Sequence, residues 1–279
     1  MLNQYTTESF LAVAISDVGR KRTNNEDRCL VAFPKNRRDK LNKGYLFVVA
    51  DGMGGRAAGE VASSLAITEV ENYYYNTQEK DVLNTLEKAL VSAHRIIQTN
   101  SSNNRETSGM GTTVTAIALL ENFFLVAHVG DSRAYLINGN SIKQLTHDHT
   151  LTAWLASKGK ITWEEARNHP QRHILTQAVG GIDQDPTPEV AEYQLENGEV
   201  LLLCTDGLYS LVTDEELQDC LTSSEDLESS LTYLIDLANE RGGLDNITAL
   251  VIKRKSKEPG INKLFTRVKT LFLNIMNVF

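Results

Sequence analysis

The sequence predicts a protein of the α+β class, in which antiparallel sheets are layered with helices. Short apolar runs rich in β-branched residues recur along the 279 residues, and Gly, Asp or Asn flanks each run, as is typical of strands. Amphipathic helical patterns lie between these runs in blocks. Because strands and helices do not alternate regularly, a parallel sheet built from alternating units is not expected.

Seven of the apolar runs are predicted to be strands. In chain order they read FLAVAIS, GYLFVVA, TTVTAIALL, FFLVAHV, SRAYLI, EVLLLCT and NITALVI. Only Gly130 and Asp131 separate the fourth run from the fifth, and the turn pair Asn138-Gly139 follows the fifth. This spacing predicts an antiparallel meander in that part of the chain.

The helices are predicted from periodicity and from capping signals. Residues 57–75, 81 to about 100 and 225–240 have amphipathic patterns. Thr162 with Glu165, and Thr213 with Glu216, have the spacing of capping boxes, so short helices are predicted to begin there.

Bulk composition restricts the class of protein. A chain of 279 residues with 41% hydrophobic content suits one large domain, or at most two modest ones. Three scattered cysteines indicate neither a disulfide framework nor a zinc motif, and they favour a reducing, cytoplasmic location. The N-terminus does not resemble a secretory signal, and no apolar stretch reaches the roughly 18 to 20 residues that span a bilayer.

Charge is distributed unevenly. The net charge is −8, but from Lys253 to the end seven Lys or Arg stand against one acid, Glu258, so this segment is +6 and the remaining body is −14. Such an acidic body is not expected to bind nucleic acid. The excess acid either serves solubility alone or includes carboxylates that are clustered to hold cations.

Carboxylates stand at the ends of four predicted strands. Asp51, Asp131 and Asp206 each follow an apolar run, and Asp245 precedes the last one. One such Asp is most often a turn former, but four are harder to explain in that way. If the strands share a sheet, the carboxylates can gather at one edge, where hard divalent cations such as Mg²⁺, Mn²⁺ or Ca²⁺ would relieve their repulsion.

The N-terminal segment 17–27 also combines carboxylates with a guanidinium, at Arg22. A solvated charged loop is the simple interpretation. An Arg beside a metal cluster would instead bind two oxygens of a phosphate group in a fork.

Several ordered blocks resemble the metal-dependent protein phosphatase 2C (PPM) family in its bacterial form, over roughly residues 9 to 253. They are RTNNED at 22–27, DGMGG at 51–55, GMGTT at 109–113, GDSR at 130–133, LTHDHT at 145–150, HPQRHILTQAVG at 169–180, TDGL at 205–208 and DNIT at 245–248. The resemblance implies a four-layer α/β/β/α sandwich of two mainly antiparallel sheets flanked by helices. It also implies a phosphatase domain at 1–255 with a mobile flap at about 150–177 that borders the active site.

The resemblance further implies a set of metal ligands. Asp51 would bridge two ions and would be catalytic, with the Gly52 carbonyl and Glu26 on the side of the second ion. Asp206 and Asp245 match ligands of the other ion. The cofactors implied are two Mn²⁺ or Mg²⁺ ions.

Three further residues complete the implied site. Asp27 would support the metals from the outer sphere, and Asp131 would hold a third ion together with Asp206. Arg22 would bind the phosphate and act in catalysis. Where animal members have a His after the Asp-Gly pair, this chain has Met53, so protonation of the leaving group is expected to fall to water at the metals.

The function implied is hydrolysis of phosphoserine and phosphothreonine in proteins by a metal-activated water. Substrates are then expected to be targets of a serine/threonine kinase, and the protein to act as a monomer. Two alternatives are a phosphohydrolase of a small metabolite and a non-catalytic binder of phosphoproteins; the intact set of carboxylates argues against the second. A zinc site at His147, His149, His169 and His173 is also weaker, because these residues lie in blocks that the family uses around its flap.

The resemblance stops after Lys255. Residues 256–279 combine apolar residues at helical spacing with basic residues, which predicts a basic amphipathic helix. Such a helix could dock on the domain itself, on a partner or on a membrane surface, the last placing the protein at the membrane periphery.

Overall fold

The computed structural model describes residues 1–54, 58–121, 123–139, 141–224 and 226–255. The strands in these ranges are β1 (Leu2–Thr6), β2 (Phe10–Asp17), β3 (Arg28–Ala32), β4 (Tyr45–Ala50), β5 (Gly52–Met53), β6 (Gly111–Thr112), β7 (Val114–Leu119), β8 (Phe123–Val129), β9 (Arg133–Asn138), β10 (Ser141–Gln144), β11 (Val179–Gly180), β12 (Glu189–Gln194), β13 (Val200–Cys204) and β14 (Ile247–Arg254). The helices are α1 (Arg37–Asn42), α2 (Ala58–Asn76), α3 (Val82–Asn103), α4 (Leu151–Ser157), α5 (Trp163–Asn168), α6 (Asp206–Tyr209), α7 (Asp214–Ser223) and α8 (Leu227–Glu240).

Two large sheets form the centre of the molecule. One has the order β1-β2-β14-β13-β9-β10 and the other β12-β8-β7-β4-β3, and every neighbouring pair in both is antiparallel. A small third sheet, β11-β6-β5, lies beside the point where β4 ends. The register pairs Ile247 with Asp17 and Arg254 with Phe10, so β14 begins where β2 ends.

The two sheets pack face to face, and helices cover their outer faces. Phe10, Phe47 and Phe124 are buried between the sheets, where the rings of Phe10 and Phe47 meet edge to face at 5.3 Å. Helices α2 and α3 cover the five-stranded sheet, and α7 and α8 cover the six-stranded one. Complete burial of one such aromatic side chain contributes about 1.5–3 kcal/mol. The predicted four-layer α+β sandwich is confirmed.

One inner strand, two capping boxes and three helices form where the sequence predicts them. All six residues of β4 are buried, because this inner strand has the second sheet on one face and helices on the other. The capping boxes that start α5 at Thr162 and α7 at Thr213 are both formed. The predicted helices at 81–100 and 225–240 correspond to α3 and α8, and α2 begins within one residue of its predicted start.

The predicted meander is wrong at its first turn. Strand β9 pairs with β10 and β13, whereas β8 pairs with β7 and β12 in the other sheet. At Gly130 the backbone has φ +116°, and a Cβ there would lie 2.6 Å from the side chain of Thr113, so glycine is required where the chain leaves one sheet for the other. Only the second turn, between β9 and β10, makes a hairpin.

The predicted helix at 256–279 lies outside the described residues. Among the helices that the structure does describe, none is both long and apolar enough to cross a bilayer.

Candidate active site

Aspartates from both sheets converge at one end of the molecule. Asp51 and Asp131 follow β4 and β8 of the five-stranded sheet, whereas Asp206 follows β13 and Asp245 precedes β14 of the six-stranded sheet. The four strands therefore do not share one sheet, and the carboxylates gather instead where the two sheets meet. Burial raises the pKa of Asp51 well above its ordinary value, and the charges of Asp27, Asp206, Asp131 and Asp245 raise it further.

Asp27 is the most enclosed of these carboxylates, with 2% of its surface exposed. Its Oδ2 accepts a hydrogen bond from Thr205 Oγ1 at 2.8 Å, and its Oδ1 has no partner among the described residues. Burial, together with the charges of Asp206 and Asp245, raises the pKa of Asp27 to about 7, against the opposing effect of hydroxyl hydrogen bonds. A buried carboxylate oxygen without a partner is a costly arrangement that a cation would relieve.

Asp131 lies in the turn that joins the two sheets. Burial raises its pKa well above the ordinary value, the charges of Asp206 and Asp148 raise it further, and Arg133 opposes the rise. Its carbonyl oxygen accepts a hydrogen bond from the Tyr209 hydroxyl at 2.9 Å, which ties the turn to α6. The backbone at Asp131 is thus held against the helix whose first residue is Asp206.

The N-terminal segment 17–27 brings Arg22 and Glu26 to the same place. Arg22 Nη2 donates to Asp245 Oδ2 at 2.7 Å, while 52% of the Arg22 side chain remains exposed. Burial raises the pKa of Glu26, Asp245 adds to this rise, and Arg22 lowers it. Arg22 is therefore a cation at the rim of an otherwise acidic cluster.

Gly52 is the position at which the chain passes closest to α2. A Cβ at this residue would lie 2.1 Å from the carbonyl oxygen of Gly59 and 2.6 Å from that of Glu26, so a larger residue would push these backbones apart. The missing side chain lets the Asp51-Gly52 peptide sit beside Glu26.

The sequence predicts no role for Asn246, but in the structure its side chain joins two parts of the site. Its Oδ1 accepts from the Glu26 N–H at 2.8 Å, and its Nδ2 donates to the carbonyls of Val18 and Asn24 at 2.9 Å. One buried amide therefore holds the N-terminal segment against the start of β14. Its place in the DNIT block, next to Asp245, was the available signal.

Arg133, also without a predicted role, organises the other side of the site. Its guanidinium makes two hydrogen bonds to the Asp148 carboxylate, at 2.9 and 2.7 Å, and lies 3.7 Å from the centre of the Tyr209 ring. Burial lowers the pKa of Arg133, but the pairing with Asp148 raises it by more. The same Tyr209 hydroxyl fixes Asp131.

The segment predicted to be the flap contains α4 and α5 and touches the carboxylate cluster. His173 Nδ1 lies 3.5 Å from Asp206 Oδ2. The other histidines have separate partners: His149 Nδ1 accepts from the Gly130 N–H, and His147 Nδ1 pairs with Glu189 at 2.7 Å. These contacts give no support to a shared zinc site.

The donor set fits hard divalent ions. Its side chains offer oxygen alone, they raise one another's pKa, and Asp27 keeps an oxygen without a partner. Among the described residues, no three His, Cys, Asp or Glu side chains are arranged to hold one ion by themselves.

Comparison with known proteins agrees with this geometry. The family model described as Protein phosphatase 2C matches residues 11–153. PhpP, a protein phosphatase of Streptococcus pneumoniae, is 37% identical over 249 residues, which cover 88% of this chain and 97% of that protein.

Two solved structures are similar as well. The serine/threonine phosphatase PstP/Ppp of Mycobacterium tuberculosis superposes with a TM-score of 0.78 at 35% identity, over 89% of this chain and 100% of that one. The catalytic domain of PstP in complex with two manganese ions has a TM-score of 0.76 at 33% identity, over 89% and 99% of the two chains. This chain therefore belongs to the protein phosphatase 2C family, and it is of the bacterial type.

Proposed function

We propose that this chain, a metal-dependent protein serine/threonine phosphatase, carries out hydrolysis at the carboxylate cluster between its two sheets. The observation that carries the assignment is the convergence of Asp51 with Asp27, Asp131, Asp206 and Asp245, whose charges add to the effect of burial in raising its pKa. Asp51 and Arg22 are the residues to which we assign the catalytic work.

The family uses Mn²⁺ or Mg²⁺, and each carboxylate has a proposed part in holding these ions. Asp51, Asp206 and Asp245 would hold one ion, and Asp51, Glu26 and the Gly52 carbonyl would hold a second. Such ions would keep part of their coordination as water. When bound, they lower the pKa of water and neutralise phosphate charge.

Two carboxylates have supporting parts. Asp131, whose pKa the charge of Asp206 helps to raise, would hold a third ion together with Asp206. Asp27 would support the ions from the outer sphere, since its Oδ1 is buried without a hydrogen-bond partner among the described residues. The Thr205 hydroxyl holds the other oxygen of Asp27 at 2.8 Å, so its orientation is set before metal arrives.

Arg22 is the proposed phosphate-binding residue. One of its nitrogens donates to Asp245, and its other N–H groups have no hydrogen-bond partner among the described residues. A guanidinium has five N–H donors, so Arg22 can keep Asp245 and still offer a fork to two phosphate oxygens. In this position it stabilises negative charge on the phosphoryl group as the bond to the serine or threonine oxygen breaks.

The substrates are phosphoproteins, and we propose that they are targets of a serine/threonine kinase. We also propose that the chain acts as a cytoplasmic monomer. The free thiols of Cys29, Cys204 and Cys220 are consistent with a reducing compartment. We also propose that the phosphatase domain comprises residues 1–255, with a flap at about 150–177.

The direct test is phosphate release from a phosphothreonine peptide with Mn²⁺ or Mg²⁺, compared with free phosphorylated metabolites. Release should depend on the metal, stop with chelator and favour the peptide. The change Asp51→Asn should lower the rate by at least about 100-fold, because it removes the bridging charge. Activity that survives both chelator and Asp51→Asn would contradict the assigned site, and a preference for metabolites would contradict the substrate class.

A further inference from the structure

The two carboxylates to which we assign the third ion lie on different elements of the fold. Asp131 lies in the turn between β8 and β9, whereas Asp206 is the first residue of α6. The charge of Asp206 contributes to raising the pKa of Asp131, so the two groups are near each other. An ion that both carboxylates bind therefore requires a fixed separation between this turn and α6.

Tyr209 provides a hydrogen bond between these two elements. It is the last residue of α6, three residues after Asp206, and the helical turn is closed by the Ser210 N–H, which donates to the Asp206 carbonyl at 3.0 Å. The Tyr209 hydroxyl donates to the Asp131 carbonyl at 2.9 Å. The backbone of one proposed ligand is thus bonded to a side chain on the same helical turn as the other.

The ring of Tyr209 is itself held in place. The Arg133 guanidinium lies 3.7 Å from the centre of the ring, in the arrangement of a cation–π contact. Two hydrogen bonds to the Asp148 carboxylate, at 2.9 and 2.7 Å, fix the plane of that guanidinium. The position of the Tyr209 hydroxyl is therefore set by the protein before any ion binds.

The residues on either side of Asp131 are bonded to other parts of the molecule. The Gly130 N–H donates to His149 Nδ1 at 3.1 Å, in the segment before α4. Ser132 Oγ is hydrogen-bonded to Thr113 Oγ1 at 2.6 Å, just before β7 of the five-stranded sheet. These contacts hold the turn but do not join it to α6, and that connection is made by the side chain of Tyr209.

We propose that Tyr209 is a positioning residue for the third ion, because its hydroxyl fixes the Asp131 turn relative to Asp206. This inference rests on the proposed function and distinguishes one ion from the other two. Glu26 and Asp245, ligands of the other ions, are oriented by a separate set of hydrogen bonds at Asn246. Loss of the Tyr209 hydroxyl should therefore act on the ion of Asp131, whereas a purely structural role would not single out one ion.

The test is titration of the metal-free, full-length protein with Mn²⁺, in which the electron paramagnetic resonance signal measures free Mn²⁺. Asp131→Ala identifies the third ion as the one that this variant fails to bind. Tyr209→Phe keeps the ring beside Arg133 and removes the hydroxyl alone. It should raise the dissociation constant of the third ion by about 10- to 100-fold, as is usual when a group that orients a ligand is lost, and leave the other two unchanged.

Tyr135→Phe is the matched control. It also removes a hydroxyl that is hydrogen-bonded to Arg133, at 3.0 Å, on a buried ring, but Tyr135 makes no hydrogen bond to Asp131. This variant should bind all three ions as the unchanged protein does. Both Phe variants should unfold cooperatively in urea without metal, which shows that they fold.

Three results would overturn the inference. They are unchanged affinity for the third ion in Tyr209→Phe, equal weakening of all three ions in that variant, and equal weakening of the third ion in Tyr135→Phe. An unchanged protein that binds two ions and no third would overturn it as well, but would leave the proposed hydrolysis at Asp51 intact. Failure of the proposed function has a different sign, namely Asp51→Asn that binds every ion with full affinity.

Discussion

Asn246 shows how one amide determines the shape of the site without touching the reacting atoms. Its side chain bonds to the backbone at Glu26, Val18 and Asn24, and its own N–H donates to Asp245 at 2.8 Å. These contacts place Glu26 and Asp245 relative to each other. A residue that orients ligands in this way affects metal affinity more than it affects the chemistry.

The change Asn246→Ala should raise the Mn²⁺ concentration for half-maximal phosphate release by about 10- to 100-fold, because the ligands lose their orientation. The rate at saturating Mn²⁺ should fall much less. Asn100→Ala, which removes an exposed amide on α3, is the control and should leave the Mn²⁺ requirement unchanged. An unchanged requirement in Asn246→Ala would refute the positioning role.

His128 makes the fold sensitive to acid. Burial and the nearby His149 ring, 4.9 Å away, together lower its pKa to about 3. The folded protein therefore keeps His128 neutral, while the unfolded chain takes up a proton below about pH 6.5. Its contribution to stability is complete above that pH and is lost as the pH falls towards 3, by up to about 1.4 kcal/mol per pH unit.

Urea unfolding at pH values between 7 and 4 measures this contribution. His128→Gln keeps a group able to bond to the Thr115 hydroxyl but cannot take up the proton, so the decline of the unfolding free energy with falling pH should become shallower. His147→Gln, at an exposed position, should keep the original slope. Equal slopes for the two variants would contradict the explanation.

Between elements, Arg133 joins β9 to the segment before α4 and to α6. Both members of the Arg133–Asp148 pair are largely buried, with 17% and 16% of their side chains exposed. Removing one member leaves the other charge buried without compensation, which costs about 3–5 kcal/mol.

Arg133→Met should therefore lower the free energy of unfolding by about 3–5 kcal/mol, measured by urea denaturation. Adding Asp148→Asn should recover part of the loss, because the stranded charge is then gone. Arg95→Met, which breaks the exposed pair with Asp185, should have a much smaller effect. If the double variant is no more stable than Arg133→Met alone, an uncompensated charge is not the cause.

Strand prediction succeeded inside the sheets and failed at their edges. The longer strands that the sequence did not reveal are β1, β3, β10 and β12, and these are the four edge strands of the two large sheets. An inner strand such as β4 is covered on both faces and appears as a continuous apolar run. An edge strand such as β12, Glu189–Gln194, is only partly buried, so its composition carries little signal.

The turn at Gly130 had the local signature of a hairpin, and only the assembled fold reveals otherwise. A Gly-Asp pair between two apolar runs is compatible with strands that pair or with strands that separate. Here the strands separate, because β9 completes the sheet that contains β13 and β14. The separation places Asp131 where the two sheets meet, so the charge of Asp206 in the other sheet's connection helps to raise its pKa.

In the complete molecule, the active site forms only when the two sheets stack so that their aspartate-bearing strand ends meet. The sequence indicated which aspartates end strands, and the family resemblance indicated their roles. Local sequence patterns did not show that these aspartates come from two different sheets, because strand pairing is not encoded by neighbouring residues. The roles of the supporting residues Asn246, Thr205 and Arg133 could not be predicted for the same reason, since their partners are distant in the chain.

We propose that carboxylates from both sheets hold divalent ions at the junction of the sheets. Anomalous scattering from crystals grown with Mn²⁺ measures this directly, since each ion gives its own peak. We predict at least two peaks beside Asp51, with Asp206 and Asp245 as neighbours, and their loss in crystals of Asp51→Asn. Peaks elsewhere on the protein, with none at the junction of the two sheets, would contradict the account.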